Sequence, residues 1–381
     1  MKLKLVLASL AFAGLGLNTY AAEKPAAPTE QPLVQIAILL DNSGSMNGLI
    51  SQAKSQLWNI VNEFVAAKKD GKAPRVQVAL YEYGVNDLPA DKGYIRFLSP
   101  LTDDLDKLSE QLFAINTRVS GSEEYCGWVM RDAVDNLEWD KSDKTYKAIF
   151  IAGNEPFTQG PVDYRTVCKA AIAKGIVVNT IHCGPEAEGI QGKWKDGADL
   201  ADGRFLIINH NAVAAVPAAP QDKELAEWNV KLNGTYCAYG RLGAEGLARQ
   251  NVQDSNAANA SGGAGVLASR AASKASAVYQ NGSWDLVDRA KQKDFNWATI
   301  KDEELPDELK KLSVDERKAY IAKKDAERAD IQKKIGELAK ERDQYITQTM
   351  KKDGGDKTLG EAVTAAVHEQ AGRKGMSFEK K

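Results

Sequence analysis

The sequence predicts an α/β fold, a doubly wound and mostly parallel sheet, followed by an α-helical C-terminal region. Two observations lead to this prediction. Between about residues 33 and 209, short apolar runs alternate with amphipathic stretches, as strands and crossover helices do in a parallel sheet. Beyond residue 223 the spacing becomes helical throughout, first in an alanine-rich stretch and then in one dense in lysine and glutamate.

The first predicted elements are a central strand and the helix that packs on it. Residues 34–40 (VQIAILL) form a nearly continuous apolar run, which is typical of a strand buried on both faces. In residues 49–65 the apolar positions recur mostly every three or four residues, which predicts an amphipathic helix. Residues 76–83 then form a second strand, and residues 95–101 a shorter edge strand.

The alternation of helix and strand continues to residue 208. Further helices are predicted at residues 104–115, 125–137 and 162–174, and further strands at residues 148–152, 175–183 and 205–208. In such an arrangement the carboxyl ends of the parallel strands meet at one edge of the sheet, where ligands of open α/β folds bind.

The C-terminal region has weaker apolar patterning. Ile331, Ile335, Leu338 and Tyr345 fit one helical seam, which Arg342 interrupts, so we expect a hairpin of helices that packs on the main domain rather than a long, strict coiled coil. The predicted organisation is a signal peptide at 1–21, a linker at 22–31, an α/β domain at 32–220, a helical extension at 221–300 and a charged, coiled-coil-like helical region at 301–381.

The N-terminus is typical of a secretory signal. Lys2 and Lys4 precede an apolar stretch at residues 5–17, and the sequence TYA that ends at Ala21 has small residues where signal peptidase reads the chain. We expect cleavage after Ala21 and a periplasmic or secreted protein. The apolar stretch is shorter than the roughly 20 residues that a span needs, so we expect no transmembrane segment in the mature chain.

Composition argues against several classes of protein. The formal net charge of -2 gives no electrostatic reason to expect a nucleic-acid partner. Only three histidines occur, His182, His210 and His368, and their separation in sequence argues against a histidine-based zinc site or a histidine-centred triad.

Four cysteines follow the predicted signal peptide: Cys126, Cys168, Cys183 and Cys237. An oxidising compartment would permit disulfides among them. The sequence does not choose among the three pairings that four cysteines allow, and buried, reduced thiols are the alternative.

The segment Asp41-Asn42-Ser43-Gly44-Ser45 stands where the first strand ends and its helix begins. One carboxylate and two hydroxyls on a tight turn offer converging oxygen ligands at the edge of the sheet where ligands bind. Oxygen ligands of this kind suit magnesium, which usually keeps several waters and leaves room for a ligand from a partner.

This Asp41-x-Ser43-x-Ser45 motif resembles the metal-ion-dependent adhesion site of von Willebrand factor A-like domains. The similarity covers residues 33–209, and it implies a Rossmann-like fold. It also implies that Asp41, Ser43 and Ser45 hold a divalent cation, Mg²⁺ or else Mn²⁺ or Ca²⁺. In that family a Thr from a second loop and an Asp from a third complete the site, and an acidic residue of the partner often takes the open position.

The second and third loops depart from the family's pattern. In the second loop Ser122 is the candidate hydroxyl, and Glu123 or Glu124 the candidate carboxylate. In the third loop the family's Asp is absent, and Asn154 or Glu155 would have to replace it from a shifted position. The predicted metal-binding set is Asp41, Ser43, Ser45, Ser122, Glu123, Asn154 and Glu155.

The predicted function is that of an exported binding module for a protein or cell-envelope ligand, and not that of an enzyme. Ser51-x-x-Lys54 matches one signature of penicillin-binding enzymes, but its S-D-N and K-T-G companions are absent, as is a G-x-S-x-G motif. The alternative is a metal-independent scaffolding protein that forms homo-oligomers through its C-terminal helices.

Overall fold

A six-stranded sheet lies at the centre of the computed structural model, which describes residues 31–85, 87–116, 123–209, 218–350 and 359–378. In chain order its strands are β1 (Leu33–Asp41), β3 (Arg75–Tyr83), β4 (Arg96–Thr102), β5 (Tyr146–Gly153), β6 (Ile176–His182) and β7 (Phe205–Ile207). Two short strands, β2 (Ala67–Lys68) and β8 (Ser377–Phe378), pair with each other apart from this sheet.

The strand order is β4-β3-β1-β5-β6-β7, and all pairs are parallel except β3 with the edge strand β4. The apolar run of β1 lies in the middle, with Ile36 between Val78 of β3 and Ala148 of β5. A strand with neighbours on both sides and helices on both faces is expected to be almost entirely apolar, and in this run only Gln35 is polar. The predicted doubly wound, mostly parallel sheet is therefore confirmed.

Helices cover both faces of the sheet. They are α1 (Asn47–Val65), α2 (Leu105–Ala114), α3 (Cys126–Asn136), α4 (Tyr164–Ala173), α5 (Glu186–Gln191) and α6 (Trp194–Asp199). Alternate residues of β1 enter separate cores: Ile36 and Leu40 pack with α1 and α2, whereas Ala37 and Leu39 pack with α3 and α4. Period-two alternation in a strand thus fills two hydrophobic layers at once.

Residues 218–350 are helical, as expected. They contain α7 (Asp222–Asn233), α8 (Gly243–Asn259), α9 (Gly263–Lys274), α10 (Leu286–Arg289), α11 (Asp307–Lys310) and α12 (Val314–Met350). Of the predicted seam on α12, Ile331, Ile335 and Leu338 are buried in the main core of this same chain, whereas Tyr345 is exposed. Arg342, which interrupts the seam, forms a buried ion pair with Asp222 of α7 at 2.6 Å.

A buried charge cluster joins this helical region to the sheet layer. The guanidinium of Arg270 in α9 pairs with Asp106 of α2 and Asp254 of α8, each at 2.6 Å, and lies over the Trp58 ring of α1 at 4.7 Å. Lys274 also bonds to Asp254. A fully buried arginine is tolerated because its charge is paired on two sides, so the cluster fixes the helices in one position on the sheet.

After α12 the chain returns to the sheet as α13 (Leu359–Arg373). Apolar residues of α13 such as Val363 and Val367 are buried in the same core as α1. Gln370 accepts a hydrogen bond from the Tyr146 hydroxyl at 2.8 Å and exchanges two hydrogen bonds with the Asn179 amide. The last helix thus belongs to the layer that covers the sheet.

The four cysteines are buried free thiols, and no disulfide joins them. No helix in the described parts of the chain is long and apolar enough to span a membrane. The predicted signal peptide at 1–21 and residues 22–30 of the predicted linker lie outside the described residues.

Candidate functional site

The turn after β1 is held in place by its own polar groups. Oδ1 of Asp41 accepts a hydrogen bond from the Ser43 backbone N–H at 2.8 Å, the arrangement by which an aspartate caps a turn two residues on. The Asn42 N–H donates to the Tyr83 carbonyl at 2.9 Å, and the Asn42 amide donates to Oε2 of Glu82 at 2.7 Å. The turn is therefore fastened to the neighbouring strand β3 before α1 begins.

The two serines of the motif run from the interior to the surface. Their hydroxyl oxygens are 3.2 Å apart, with Ser43 buried and Ser45 exposed. Asp41 is fully buried below them. Of the three oxygen-bearing side chains of the motif, only that of Ser45 is therefore exposed to solvent.

A second carboxylate, that of Glu124, lies against this motif. It is 3% exposed and within hydrogen-bonding contact of the Asp41 and Ser43 side chains. Gly84 makes this close approach possible, because a Cβ there would lie 2.9 Å from Cγ of Glu124 and 3.0 Å from Oδ1 of Asp41. Its φ of +71° also favours glycine. The two acids are thus held together in a dry pocket.

This confinement raises the pKa of both carboxyls. Burial is the main cause for Asp41, and hydrogen bonds from Glu124 and Ser43 oppose it only in part. For Glu124 burial is again the main cause, and the adjacent Asp41 raises the pKa further. The charge of Glu155 raises both values as well. Two buried like charges are costly, so the pair requires a proton or a cation between them.

The third loop follows β5, which ends at Gly153. A Cβ at Gly153 would lie 2.3 Å from the Tyr83 hydroxyl and 3.1 Å from Oδ2 of Asp41, so this backbone passes directly beside the acid pair. Asn154 is the next residue, and Glu155 accepts a hydrogen bond from the Gln159 amide at 3.2 Å. The loop therefore brings one amide and one carboxylate to the same edge of the sheet.

Four buried oxygens at this edge have no hydrogen-bond donor in the described parts of the chain while both acids are ionised: Oδ2 of Asp41, Oδ1 of Asn42, Oε2 of Glu124 and Oδ1 of Asn154. Buried polar atoms are nearly always satisfied, so orphaned oxygens call for an explanation. No set of three or more His, Cys, Asp or Glu side chains suited to a metal occurs among the described residues. A cation here would be shared between two carboxylates and serine hydroxyls, a donor set that fits a hard divalent ion.

The structure brings Asp41, Ser43 and Ser45 together as expected, with Glu155 close enough to raise the pKa of Asp41. Of the two glutamates before α3, Glu124 is the one buried against Asp41, whereas Glu123 is half-buried. Spacing alone could not separate two consecutive glutamates, because the segment before α3 has no regular period. Ser122 lies outside the described residues.

Two thiols and a phenol line the base of the acid pair. The Cys126 thiol, at the first residue of α3, donates a hydrogen bond to the Tyr83 hydroxyl at 3.7 Å, and that hydroxyl donates to the Ala152 carbonyl at 2.9 Å. Burial raises the pKa of Cys126 and Cys183, and the charges of Asp41 and Glu124 raise it further. The thiols therefore stay protonated.

No protein-family model matches the sequence, and no curated protein does. Among solved structures, the chain is similar to proximal thread matrix protein 1 of the mussel byssus, with 14% identity and a TM-score of 0.32 over 45% of this chain. That alignment spans 46% of the mussel protein, less than half its length. A further structure of the mussel protein is described as having a zinc-occupied MIDAS motif.

Two other similar structures cover most of their own chains. The conserved hypothetical protein BatB from Bacteroides thetaiotaomicron is 18% identical with a TM-score of 0.36, over 46% of this chain and 90% of that one. The SpRpn10 VWA domain is 18% identical with a TM-score of 0.35, over 46% and 88%. The strand order of the sheet and the Asp41-x-Ser43-x-Ser45 turn at the carboxyl end of its central strand give this chain a von Willebrand factor A-like fold.

Proposed function

We propose that this chain is a binding module in which a divalent cation, held at Asp41, Ser43 and Ser45, bridges to an acidic group of a partner. The observation that supports it is the set of orphaned buried oxygens on Asp41, Glu124 and Asn154 beside the two serine hydroxyls. When bound, a cation would supply the positive charge that offsets the repulsion between the two carboxylates. It would also offer an open coordination position toward solvent.

The residues of the site would divide the task of binding. Asp41 and Glu124 would neutralise the cation from the buried side, where neither can be reached by another protein. Ser43 and Ser45 would orient it with neutral oxygens, and Ser45 is the one that faces solvent. A partner's carboxylate would therefore approach past Ser45. Magnesium is the preferred ion because all candidate ligands are oxygens, with Mn²⁺ and Ca²⁺ as alternatives.

The partner we propose is a protein or a component of the cell envelope, and the location is the periplasm or the exterior. The typical secretory pattern of residues 1–21 supports export. We propose binding rather than catalysis, because the Ser43 hydroxyl is engaged with Ser45 and the acid pair and is not offered to a substrate. The alternative of scaffolding through C-terminal helices is disfavoured by the burial of Ile331, Ile335 and Leu338 within the chain itself.

Calorimetric titration of the full chain with Mg²⁺ and then Mn²⁺ tests this function. We expect heat of binding in the wild type, no heat with Asp41→Ala, and weaker binding with Glu124→Gln. Glu186→Gln is the matched control, since Glu186 is an exposed acid after β6 at the same edge of the sheet. If Asp41→Ala binds either metal as the wild type does, or if no protein binds metal, the proposal is wrong.

A further inference from the structure

The side chain of Gln159 joins the second and third loops of the site. Its Oε1 accepts a hydrogen bond from the Glu124 backbone N–H at 2.8 Å, and its Nε2 donates to Oε2 of Glu155 at 3.2 Å. The oxygen and the nitrogen of one side-chain amide thus bond to residues of two different loops.

The packing beside Gln159 holds these loops together as well. Gly160, with a φ of +84°, lies so close to Tyr125 that a Cβ there would be 2.5 Å from the ring. Tyr125 directly follows Glu124, and the Gln159 N–H donates to the Pro156 carbonyl at 3.0 Å, which closes the loop on itself. The loop from 154 to 160 and the start of α3 therefore form one packed unit.

Glu155 needs such a restraint. It is half-buried, and its negative charge is repelled by the Asp41–Glu124 pair. A flexible glutamate in that field would turn toward water and carry the loop after β5 away from Glu124. The donated hydrogen bond from Nε2 of Gln159 is the described contact that opposes this movement.

We propose that Gln159 is a positioning residue of the cation site: by bonding to both the Glu124 backbone and the Glu155 carboxylate, it holds the loop after β5 against the segment that carries Glu124, so that Glu124 is preorganised beside Asp41. The inference rests on the proposed function, since it assigns a role in binding the same ion. Residues that orient metal ligands through a hydrogen bond commonly affect metal affinity by 10- to 100-fold, on the order of the effect expected here.

The test compares Gln159→Glu and Gln159→Leu by titration of the full chain with Mg²⁺. Glutamate keeps the oxygen that accepts from Glu124 but replaces the donor with a second acceptor facing Glu155, and leucine removes both bonds. We expect both variants to bind Mg²⁺ at least roughly tenfold more weakly than the wild type. Thr158→Ala, at the exposed neighbouring position, is the control that should bind as the wild type does.

The glutamate variant separates positioning from charge. An added carboxylate near a cation site would tighten binding if charge alone mattered, so stronger binding by Gln159→Glu would overturn the proposal. A second readout needs no metal: exchange of the Glu124 amide hydrogen should speed up in Gln159→Leu and stay slow in Gln159→Glu.

The outcomes also separate this inference from the proposed function. If the wild type binds no cation, both are wrong. If the wild type binds Mg²⁺ and Gln159→Leu binds it equally well, only the role of Gln159 is wrong.

Discussion

The two buried acids, Asp41 and Glu124, should make the free energy of unfolding of the metal-free protein depend on pH. Burial raises the pKa of Asp41 and Glu124, so the folded chain holds a proton more tightly than the unfolded chain does. This stabilisation is complete below the ordinary carboxyl pKa of about 4.5 and is lost as the pH rises toward the folded value. Because the pKa of Glu124 is raised to about 10, we expect the melting temperature in EDTA to fall between about pH 5 and about pH 10.

Two controls identify the source of that fall. Glu124→Gln should flatten the profile, because an uncharged amide can donate to Asp41 at every pH in this range. Saturating Mg²⁺ should flatten it in the wild type, since the cation replaces the proton. Equal slopes in the wild type and in Glu124→Gln would show that other groups cause the dependence.

The sequence predicts some of the residues of the candidate site but not all of them. Asp41, Ser43 and Ser45 were identifiable because they follow an apolar run directly, and a strand followed by a turn fixes where they lie. The predicted set contains Glu123 and not Glu124, because the burial of Glu124 depends on Gly84, which is distant in sequence and leaves space for the Glu124 side chain. Gln159 carries no motif at all, and only contact between two loops reveals it.

At the scale of elements, α12 offers a test of self-association. Ile335 is fully buried in the core that α12 shares with the rest of the chain. Ile335→Ala should lower the free energy of unfolding by about 2–5 kcal/mol, through lost burial and the cavity left behind. Sedimentation of the wild type and the variant at equal concentration should give the same mass. The exposed Tyr345→Ala serves as control and should change stability by less than about 0.5 kcal/mol.

If the wild type sediments as an oligomer that Ile335→Ala dissociates without loss of stability, then the seam is an interface between chains. That result would restore the scaffolding alternative.

The strands were predictable and the last helices much less so, for a physical reason. Each sheet strand is a dense apolar run, and its burial on two faces leaves a strong local signal. Arg342, by contrast, was counted as a break in the seam of α12, yet it is buried there because Asp222 of α7 pairs with it. α13 buries mainly alanine and valine, and its partners lie in β5, β6 and α1, far away in sequence. The local pattern of apolar residues carries no information about such long-range contacts.

For the molecule as a whole, the C-terminus should be indispensable. Val363 of α13 lines an apolar cavity with Ile38 of the sheet and Leu57 of α1, and the Leu359 N–H donates to the Gln52 side chain at 3.1 Å. Removing residues 359–381 would expose this core to water. We expect the truncated chain to lose cooperative unfolding in a thermal melt followed by circular dichroism.

Removal of residues 379–381 alone is the control for that truncation, and it should leave the melt unchanged. A cooperative transition in the longer truncation, at the wild-type temperature, would mean that the sheet and its other helices are stable without α13.

The position of α13 also determines the order in which the protein can be completed during synthesis. Every strand of the six-stranded sheet has been made by residue 207, whereas the helix that covers part of one face begins at residue 359. At about 5–20 residues per second, a ribosome needs on the order of ten seconds to make the segment between them. Throughout that interval the apolar face of the sheet lacks its last layer. In a chain built in this order, that face of the sheet is fully covered only after α13 has emerged from the ribosome.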